Sequence, residues 1–247
     1  MSGECEKCGE HPIDGCKCHS QSKIDITCIG CLHGFEPELP GGDLLIITGD
    51  LTARGTQQEF NRFFDWLSLQ DHYRKKIFIC GNHDELLSHE PPQKIANLTN
   101  PNFELFEYLC DSGTEFAGLN IWGSPWSLSF MGINPECATF TCTEKEIEEK
   151  WKLIPQHTDI LITHSPPHGI LDGIPNFSTG KIDHVGSKSL HKYLNWDGAL
   201  KLHVFSHIHE GYGEERSNCG IFSTHSVNCS VMNERYKPVN RPIHVEV

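Results

Sequence analysis

The chain has 247 residues, of which 37% are hydrophobic and 21% are charged. These proportions exclude a disordered chain, and the length favours one large domain with a substantial core over two smaller ones. The formal net charge is −13 and no Lys/Arg cluster offsets it, which argues against long DNA or RNA as a partner. A small anionic substrate remains compatible with this charge if bound metal supplies local positive charge.

No apolar run reaches membrane-spanning length, so we expect no membrane partner. The stretch from Met1 to Ser22 is polar and Cys-rich, which is unlike a signal peptide. We therefore expect a cytoplasmic protein in a reducing compartment, where the twelve cysteines are thiols or metal ligands and not disulfides. The composition leaves the oligomeric state open.

Residues 1–23 are predicted to form a Cys-rich N-terminal extension, separate from a domain that covers residues 24–247. Four cysteines in the extension could hold a structural zinc ion: Cys5, Cys8, Cys16 and Cys18. The second pair is spaced more tightly than is usual for zinc sites, and the alternative is a disordered, thiol-rich tail. The spacing leaves both interpretations open.

Strands and helices are predicted to alternate after the extension. The predicted strands are 24–29, 43–48, 76–80, 115–121, 159–163 and 202–205, and the predicted helices are 56–69, 103–109, 143–153 and 187–194. Two of the helices begin with a capping box, in which Thr56 precedes Glu59 and Thr143 precedes Glu146 by three residues. The alternation indicates an α/β fold, and the strand-rich end, 213–247, favours two mixed sheets flanked by helices over one doubly wound sheet.

Metal-capable side chains follow five of the predicted strands. They are Cys31 and His33, then Asp50, then Asn82 and His83, then His164, and finally His207 and His209. The carboxyl ends of neighbouring strands form the ligand crevice of an open α/β sheet, so these residues are expected to meet although they are far apart in the sequence.

The residue types suit a site for two metal ions. A carboxylate bridges a metal pair well, and Asp50 is the candidate. Imidazole is a ligand for Zn, Mn or Fe, and Asn82 offers a carbonyl oxygen. His207 and His209 are two residues apart, so in an extended segment they point to the same side and can serve adjacent ions. His83 stands beside a ligand and is positioned to act on substrate.

Each of these pieces also has an ordinary interpretation. Gly-Asp after a strand is a common turn, a single buried histidine is usually hydrogen bonded in the core, and a His-x-His pair occurs on edge strands. The coincidence of all of them at strand ends favours the functional interpretation.

The order of the motifs resembles that of the calcineurin-like metallophosphoesterases. The matching residues are His33, Gly49-Asp50, Gly81-Asn82-His83-Asp84, His164 and His207-x-His209. Further blocks resemble the metallophosphoesterase-domain-containing branch, namely 123–126, 159–172, 203–213, and a tail with Pro238, Asn240 and Pro242. The resemblance runs from Ile24 to the C-terminus, and it implies a four-layer α/β-β/α sandwich.

The resemblance also implies roles for the site residues. The first metal ion would take Cys31, His33, Asp50 and His209, and the second would take Asp50, Asn82, His164 and His207. The ions would be divalent Mn, Zn or Fe, and a bridging hydroxide would attack phosphorus. His83 would bind the phosphate and protonate the leaving oxygen, and Asp84 would orient His83. The implied substrates are small phosphodiesters, cyclic nucleotides among them, or phosphomonoesters.

Two positions depart from the family pattern. Cys31 replaces the usual Asp, and a soft thiolate favours Zn or Fe over Mn or Mg. If Cys31 does not bind metal, the alternative is a catalytically impaired binding module that retains the fold. Ser206 replaces the usual Gly, and we expect the site to tolerate a side chain this small. A zinc-tethered nucleic-acid binder, built on the N-terminal cysteines, is opposed by the net charge.

Some nearby side chains have two open interpretations. Trp126, beside Pro125, either stacks on a nucleobase or belongs to the core. Lys181 and His184 lie in a loop between glycines and either contact phosphate or are solvated. Cys28 and Cys80 lie in buried-strand patterns, where cysteine behaves as a small hydrophobic residue.

Overall fold

The computed structural model describes residues 23–88, 106–129, 137–194, 200–219 and 222–247. The N-terminal extension lies outside these residues except for Lys23, so its separateness and its four-cysteine zinc site stay predictions. Within the described residues, no helix has both the length and the apolar character needed to cross a membrane.

Fifteen strands and four helices make up the described chain. The strands are β1 Asp25–Ile29, β2 Gly42–Thr48, β3 Tyr73–Ile79, β4 Phe106–Tyr108, β5 Ser112–Phe116, β6 Leu119–Ser124, β7 Ser127–Leu128, β8 Thr141–Cys142, β9 Ile160–Thr163, β10 Gly173–Asn176, β11 Lys181–His184, β12 Leu202–Phe205, β13 Gly213–Cys219, β14 Phe222–Asn228 and β15 Ile243–Glu246. The helices are α1 Gln57–Ser68, α2 Glu85–Ser88, α3 Glu144–Trp151 and α4 Lys188–Leu194, and His209–Gly211 forms a 3-10 turn.

Two large sheets carry the fold. The first has the strand order β15-β1-β2-β3-β4, and the second has the order β13-β14-β12-β9-β6-β5. Strands β1 to β4 are parallel, as are β6, β9, β12 and β14, and antiparallel strands close the edges at β15, β5 and β13. The predicted pair of mixed sheets is confirmed. The parallel strands of each sheet deliver their carboxyl ends to one edge, where the candidate ligands follow.

Alternation along β2 shows how the layers are stacked. Leu44 and Ile46 pack into an apolar core between the two sheets, together with residues of β9 and β12. Leu45 and Ile47 point the other way and pack against α1. Successive strand residues face opposite sides, so one apolar run serves both cores.

The outer face of the second sheet is covered in the same manner. Leu161 of β9 packs against Ile147 and Trp151 of α3 and Leu190 of α4. The order of layers is therefore helix, sheet, sheet, helices, as expected for the four-layer sandwich.

Both predicted capping boxes are present. The Thr56 hydroxyl accepts from the Glu59 backbone N–H at the start of α1, while the Glu59 carboxylate accepts from the Thr56 backbone N–H. Thr143 and Glu146 do the same at the start of α3. Each box satisfies two helix N–H groups that would otherwise lack a partner.

The helix predicted over 103–109 is wrong in its described part. Phe106–Tyr108 is the strand β4, paired in parallel with β3. Phe106 and Tyr108 are buried and Glu107 is not, which is the period-two alternation of a strand. Three residues are too few to show that period in the sequence, and pairing with the exposed edge of β3 decides the structure.

Candidate metal centre

The predicted site residues come together at the carboxyl edge of the two sheets, on turns of unusual backbone conformation. Cys31, His33, Asp50 and His207 have φ of +49°, +44°, +50° and +66°. Residues other than glycine rarely adopt this left-handed region, and it costs on the order of 1 kcal/mol or more for each residue. Strain of this kind concentrates at functional sites, where the surrounding structure holds it in place.

Asp50 lies at the middle of the site. Its Oδ1 accepts a hydrogen bond from the His83 backbone N–H at 3.0 Å. Its Oδ2 faces two imidazoles, with His33 Nε2 at 3.6 Å and His164 Nε2 at 3.4 Å. One carboxylate oxygen thus stands between two sets of donors, which is the position that a bridging ligand requires.

His164 is held in one tautomer. Its Nδ1 lies 2.8 Å from the Thr48 carbonyl oxygen, which can only accept, so Nδ1 donates. Nε2 then faces Asn82 Oδ1 at 3.1 Å, and the Asn82 amide nitrogen donates to the Cys137 carbonyl at 3.0 Å. When the ring is neutral, the Nε2 lone pair and two oxygens therefore converge, and a metal cation fits among them.

Charge explains the shifted pKa values of this pair. Burial alone would lower the pKa of His164, but the Asp50 carboxylate outweighs it and raises the pKa to about 9. The pKa of Asp50 falls well below its ordinary value, because His164 overcomes the cost of burial. A buried Asp50 carboxylate thus needs a positive partner, which is either a proton on His164 or a metal cation.

Cys31, His33 and His209 form a second donor group, with their ligand atoms within 4.8 Å of one another. Among the described residues, neither ring nitrogen of the buried His33 has a hydrogen-bond partner. Burial lowers the pKa of His33 to about 3, so the ring stays neutral and keeps a lone pair. His209 donates from Nδ1 to the Asn233 carbonyl at 2.9 Å, which leaves Nε2 available.

The Cys31 sulfur accepts hydrogen bonds from two neighbouring groups. The His207 backbone N–H approaches Sγ at 3.1 Å and the Ser230 hydroxyl at 3.7 Å. Burial raises the pKa of the Cys31 thiol to about 11, so the thiolate needs a cation beside it at neutral pH. The donor set of sulfur, imidazole and shared carboxylate fits such a cation.

His207 completes the group around Asp50 and His164, with ligand atoms again within 4.8 Å. Burial lowers the pKa of His207 well below its ordinary value, so it remains a neutral donor. The structure thus brings together every side chain that was predicted as a ligand: Cys31, His33, Asp50, Asn82, His164, His207 and His209.

Glycines allow this close approach. Gly49 has φ of +96°, as expected for a tight turn before Asp50. Gly81 matters for its lack of a side chain, because a Cβ there would lie 2.3 Å from Asp50 Oδ1 and 2.5 Å from His164 Cε1. A side chain at position 81 would therefore occupy the space in which these two ligands meet.

His83 lies beside the donors, but Asp84 does not orient its ring directly. His83 Nδ1 contacts the Ala53 carbonyl at 2.8 Å. The fully buried Asp84 carboxylate accepts instead from the backbone N–H groups of Leu51, Thr52 and Gly81 and from the Thr52 hydroxyl. Asp84 therefore fixes the loops that carry Asp50 and His83. The prediction that the Asp84 carboxylate contacts and orients the His83 ring is wrong.

A cavity of about 280 Å³ opens onto the site. Several of its lining residues were not singled out in the sequence: Leu128, Ser129, Cys137, Ala138, Thr141, Ile174, Val185, Ile208 and Tyr236. Cys137 places Sγ 3.4 Å from His83 Nδ1. These residues carry no motif, and only Ile208, between His207 and His209, was within reach of sequence reasoning.

Of the side chains with two open interpretations, Trp126 and His184 make contacts within the fold and Lys181 is solvated. Trp126 donates from Nε1 to Asp111 Oδ2 at 2.9 Å, and Lys150 Nζ lies 4.0 Å from its ring centroid. His184 bonds the buried Asp172 carboxylate at 2.6 Å, and Lys181 is exposed. None of them is among the described residues that line the cavity. Cys28 and Cys80 are fully buried, as their patterns indicated.

Taken as a class, the sandwich of two mixed sheets with these donors at its strand ends defines a metallophosphoesterase. A sequence model described as calcineurin-like phosphoesterase matches residues 24–211. The human and mouse proteins named Metallophosphoesterase domain-containing protein 1 are each 36% identical over 243 residues, which covers 90% of this chain and 70% of theirs.

The chain therefore belongs to the calcineurin-like phosphoesterase family, and the expected superfamily and branch are confirmed. Among solved structures, the protein TT1561 of Thermus thermophilus aligns with a TM-score of 0.54 at 15% identity, covering 83% of this chain and 89% of that one. This likeness supports the fold alone. Membership implies a hydrolase of phosphoesters that uses divalent metal ions.

Proposed function

We propose that the chain hydrolyses small phosphodiesters, or phosphomonoesters with lower preference, at a site for two divalent ions. The single observation that carries this proposal is the Asp50 carboxylate, whose Oδ2 faces His33 at 3.6 Å and His164 at 3.4 Å. A shared oxygen between two imidazole-lined pockets is the arrangement that a metal pair needs.

Two subsites share Asp50. The first subsite is Cys31, His33 and His209, and the second subsite is Asn82, His164 and His207. Divalent ions bound there would supply a water of lowered pKa and positive charge for the phosphate oxygens. We propose Zn or Fe for the first subsite because of its sulfur, and Mn, Zn or Fe for the second.

His83 is proposed as the group that binds the phosphate and protonates the leaving oxygen. Its Nδ1 donates to the Ala53 carbonyl, so the protonated ring has Nε2 left to donate. The ring also packs edge-on against His33 at 4.5 Å between centroids, which fixes its plane beside the donors. His83 lines the cavity next to Asp50 and Asn82, where a bound phosphate would lie.

A cytoplasmic location is proposed from the cysteines. Those whose side chains the structure describes are outside any disulfide: Cys28, Cys31, Cys80, Cys110, Cys137, Cys142 and Cys229. Cysteines in this number without disulfides suit a reducing compartment.

Turnover by the full chain tests the proposal. The protein is reconstituted with Zn, Mn or Fe(II) and assayed with bis(4-nitrophenyl) phosphate, 4-nitrophenyl phosphate and cyclic nucleotides. We expect metal-dependent hydrolysis, faster with the diesters. His83→Asn should lower kcat at least 100-fold on cyclic nucleotides, in line with the worth of a general acid, and lower it less on the 4-nitrophenyl esters, whose leaving group needs little protonation.

The competing hypothesis, an impaired binding module, rests on Cys31, which stands where the family usually has Asp. If the loaded protein binds phosphate esters but hydrolyses none, and Cys31→Asp raises turnover by orders of magnitude, the chain is an impaired binding module. Hydrolysis by the natural protein at a rate within tenfold of Cys31→Asp excludes that alternative.

A further inference from the structure

The cavity is lined by two chemically different sets of residues, here called its polar and its apolar wall. One wall is polar and carries the candidate ligands and His83: Asp50, Asn82, His83, His207 and His209. The other is apolar: Leu128, Ile174, Val185, Ile208 and Tyr236. The remaining lining residues that the structure describes are uncharged, and no lysine or arginine is among them. Positive charge in the described lining can therefore come only from histidine or from bound metal.

The apolar wall rests on an anchored hairpin. Ile174 lies on β10 and Val185 directly follows β11, and these two strands pair antiparallel. The fully buried Asp172 carboxylate at the base of the hairpin accepts from the Gly169 N–H at 3.0 Å, the Gly186 N–H at 2.8 Å and His184 Nδ1 at 2.6 Å. These bonds hold both ends of the hairpin to one point.

The hairpin is also tied to the loop that carries the ligands. The buried Asn228 side chain donates to the Leu171 carbonyl at 3.1 Å and to the Ile208 carbonyl at 2.8 Å. Leu171 precedes the hairpin, and Ile208 lies between His207 and His209. The hairpin is therefore held beside the loop of His207 and His209 in advance of binding, which spares an ordering cost.

Tyr236 adds an aromatic surface at the edge of the site. Its ring packs edge-on against His33 at 4.9 Å and His209 at 5.0 Å between centroids. The residue is still 49% exposed, so part of the ring faces the cavity. An aromatic group on a ligand could pack against it in an offset or edge-to-face manner.

The size of the cavity limits what fits. Its volume of about 280 Å³ lies just below the range of roughly 300–1,000 Å³ that is usual for small-molecule sites. One phosphate with one ring or a short apolar group fits this space, whereas a long polyanion does not.

From these observations we infer that the site selects phosphate esters with a single phosphate whose ester group is apolar or aromatic and uncharged, and that Ile174, Val185 and Tyr236 are the residues that recognise this group. The inference rests on the proposed function, since the phosphate must lie on the polar wall. A second anionic group on the ligand would face the apolar wall without a counter-charge, and removing its water would disfavour binding.

Non-hydrolysable phosphonates test the inference by binding alone. Titration calorimetry on the zinc-loaded full chain compares phenylphosphonate, methylphosphonate and 4-carboxyphenylphosphonate. We expect phenylphosphonate to bind at least tenfold more tightly than either of the others. Ile174→Asn should lower the affinity for phenylphosphonate by about tenfold, because a small loss of apolar contact in a pocket has an effect of this size. The affinity for methylphosphonate should be unchanged.

The same hairpin offers a matched control. Ile182 lies on β11, is 56% exposed and is not among the described lining residues. Ile182→Asn makes the same chemical change outside the cavity and should leave all three affinities unchanged. Val185→Lys adds the missing cation and should strengthen 4-carboxyphenylphosphonate by about tenfold while weakening phenylphosphonate.

The outcomes separate the two proposals. Equal affinities for phenylphosphonate and 4-carboxyphenylphosphonate in the natural protein, or equal losses in the Ile174 and Ile182 variants, would overturn the inference even if esters are hydrolysed. Selective binding of phenylphosphonate without hydrolysis of any ester supports the inference as a binding preference and refutes the proposed hydrolysis.

Discussion

The two subsites on either side of Asp50 differ in how firmly their donors are held. In the second subsite, His164 is fastened to the Thr48 carbonyl and Asn82 to the Cys137 carbonyl, both through hydrogen bonds from the atom that does not face the centre. In the first subsite, His209 is fastened in the same way to the Asn233 carbonyl, but His33 has no hydrogen-bond partner on either ring nitrogen among the described residues.

The donor atoms differ as well. The second subsite offers imidazole and hard oxygen, and the first offers imidazole and the Cys31 sulfur. Fastened donors preset the geometry of a metal site, whereas ligand softness selects the metal through the strength of its bonds. We therefore expect the second subsite to accept several divalent ions and the first to prefer zinc or iron.

The largest effect is expected from Asp50→Asn, which weakens both subsites together. An amide keeps the shape but loses the charge that offsets two cations. We expect loss of both ions and a fall in kcat/KM of at least about 1,000-fold, because metal catalysis contributes several kcal/mol and each 1.4 kcal/mol is tenfold. Metal content by mass spectrometry and diester turnover measure this.

Asp71→Asn is the control, since the Asp71 side chain is 92% exposed and remote from the site. It should retain both ions and full activity. An Asp50→Asn variant that keeps two ions and turnover within tenfold would show that Asp50 does not join the subsites.

A pair of variants separates the subsites from each other. With Co(II) as a probe, Cys31→Ser should abolish the near-ultraviolet band of a cobalt–thiolate bond and keep the visible bands from the second subsite. Asn82→Ala should keep the cobalt–thiolate band and lose the visible bands from the second subsite. We expect each variant to lose about one ion per chain, because each removes a ligand of one subsite only.

Cys142→Ser serves as the control, because Cys142 lies on β8 and is a free thiol away from the donor groups. Its cobalt spectrum should match that of the natural protein. A thiolate band that persists in Cys31→Ser would remove sulfur from the first subsite and undo the contrast between the two.

The predictable part of the site is the set of residues at strand ends. Parallel strands bring their carboxyl ends to one edge of their sheet, so His164 and His207 were expected to meet. Asp50 follows a strand of the other sheet, and it joins them because the two sheets pack with these edges on the same side. The left-handed backbone at Cys31 and His33 left no trace in the sequence, because neither residue type marks this conformation as glycine does and the surrounding turns enforce it.

The apolar wall could not be predicted for a different reason. Ile174 and Val185 are ordinary apolar residues, and their position over the site depends on a hairpin that Asp172 and Asn228 hold in place. Such long-range hydrogen bonds have no local signature. The strand β4 was missed in the same way, because pairing with β3 and not local propensity decides its structure.

The smallest effect is expected at Ser206, which touches both subsites. Its hydroxyl donates to the Thr48 carbonyl at 3.2 Å and lies beside the Cys31 sulfur. Ser206→Ala leaves that carbonyl bonded to His164, so only one hydrogen bond of about 0.5–1.5 kcal/mol is lost. We expect the metal affinity of the second subsite to fall by no more than about tenfold, with the cobalt–thiolate band retained and Ser68→Ala as an unchanged control. A loss beyond 100-fold would mean that the hydroxyl, and not the Thr48 carbonyl, keeps His164 in place, and the second subsite would then be the less firmly fastened of the two.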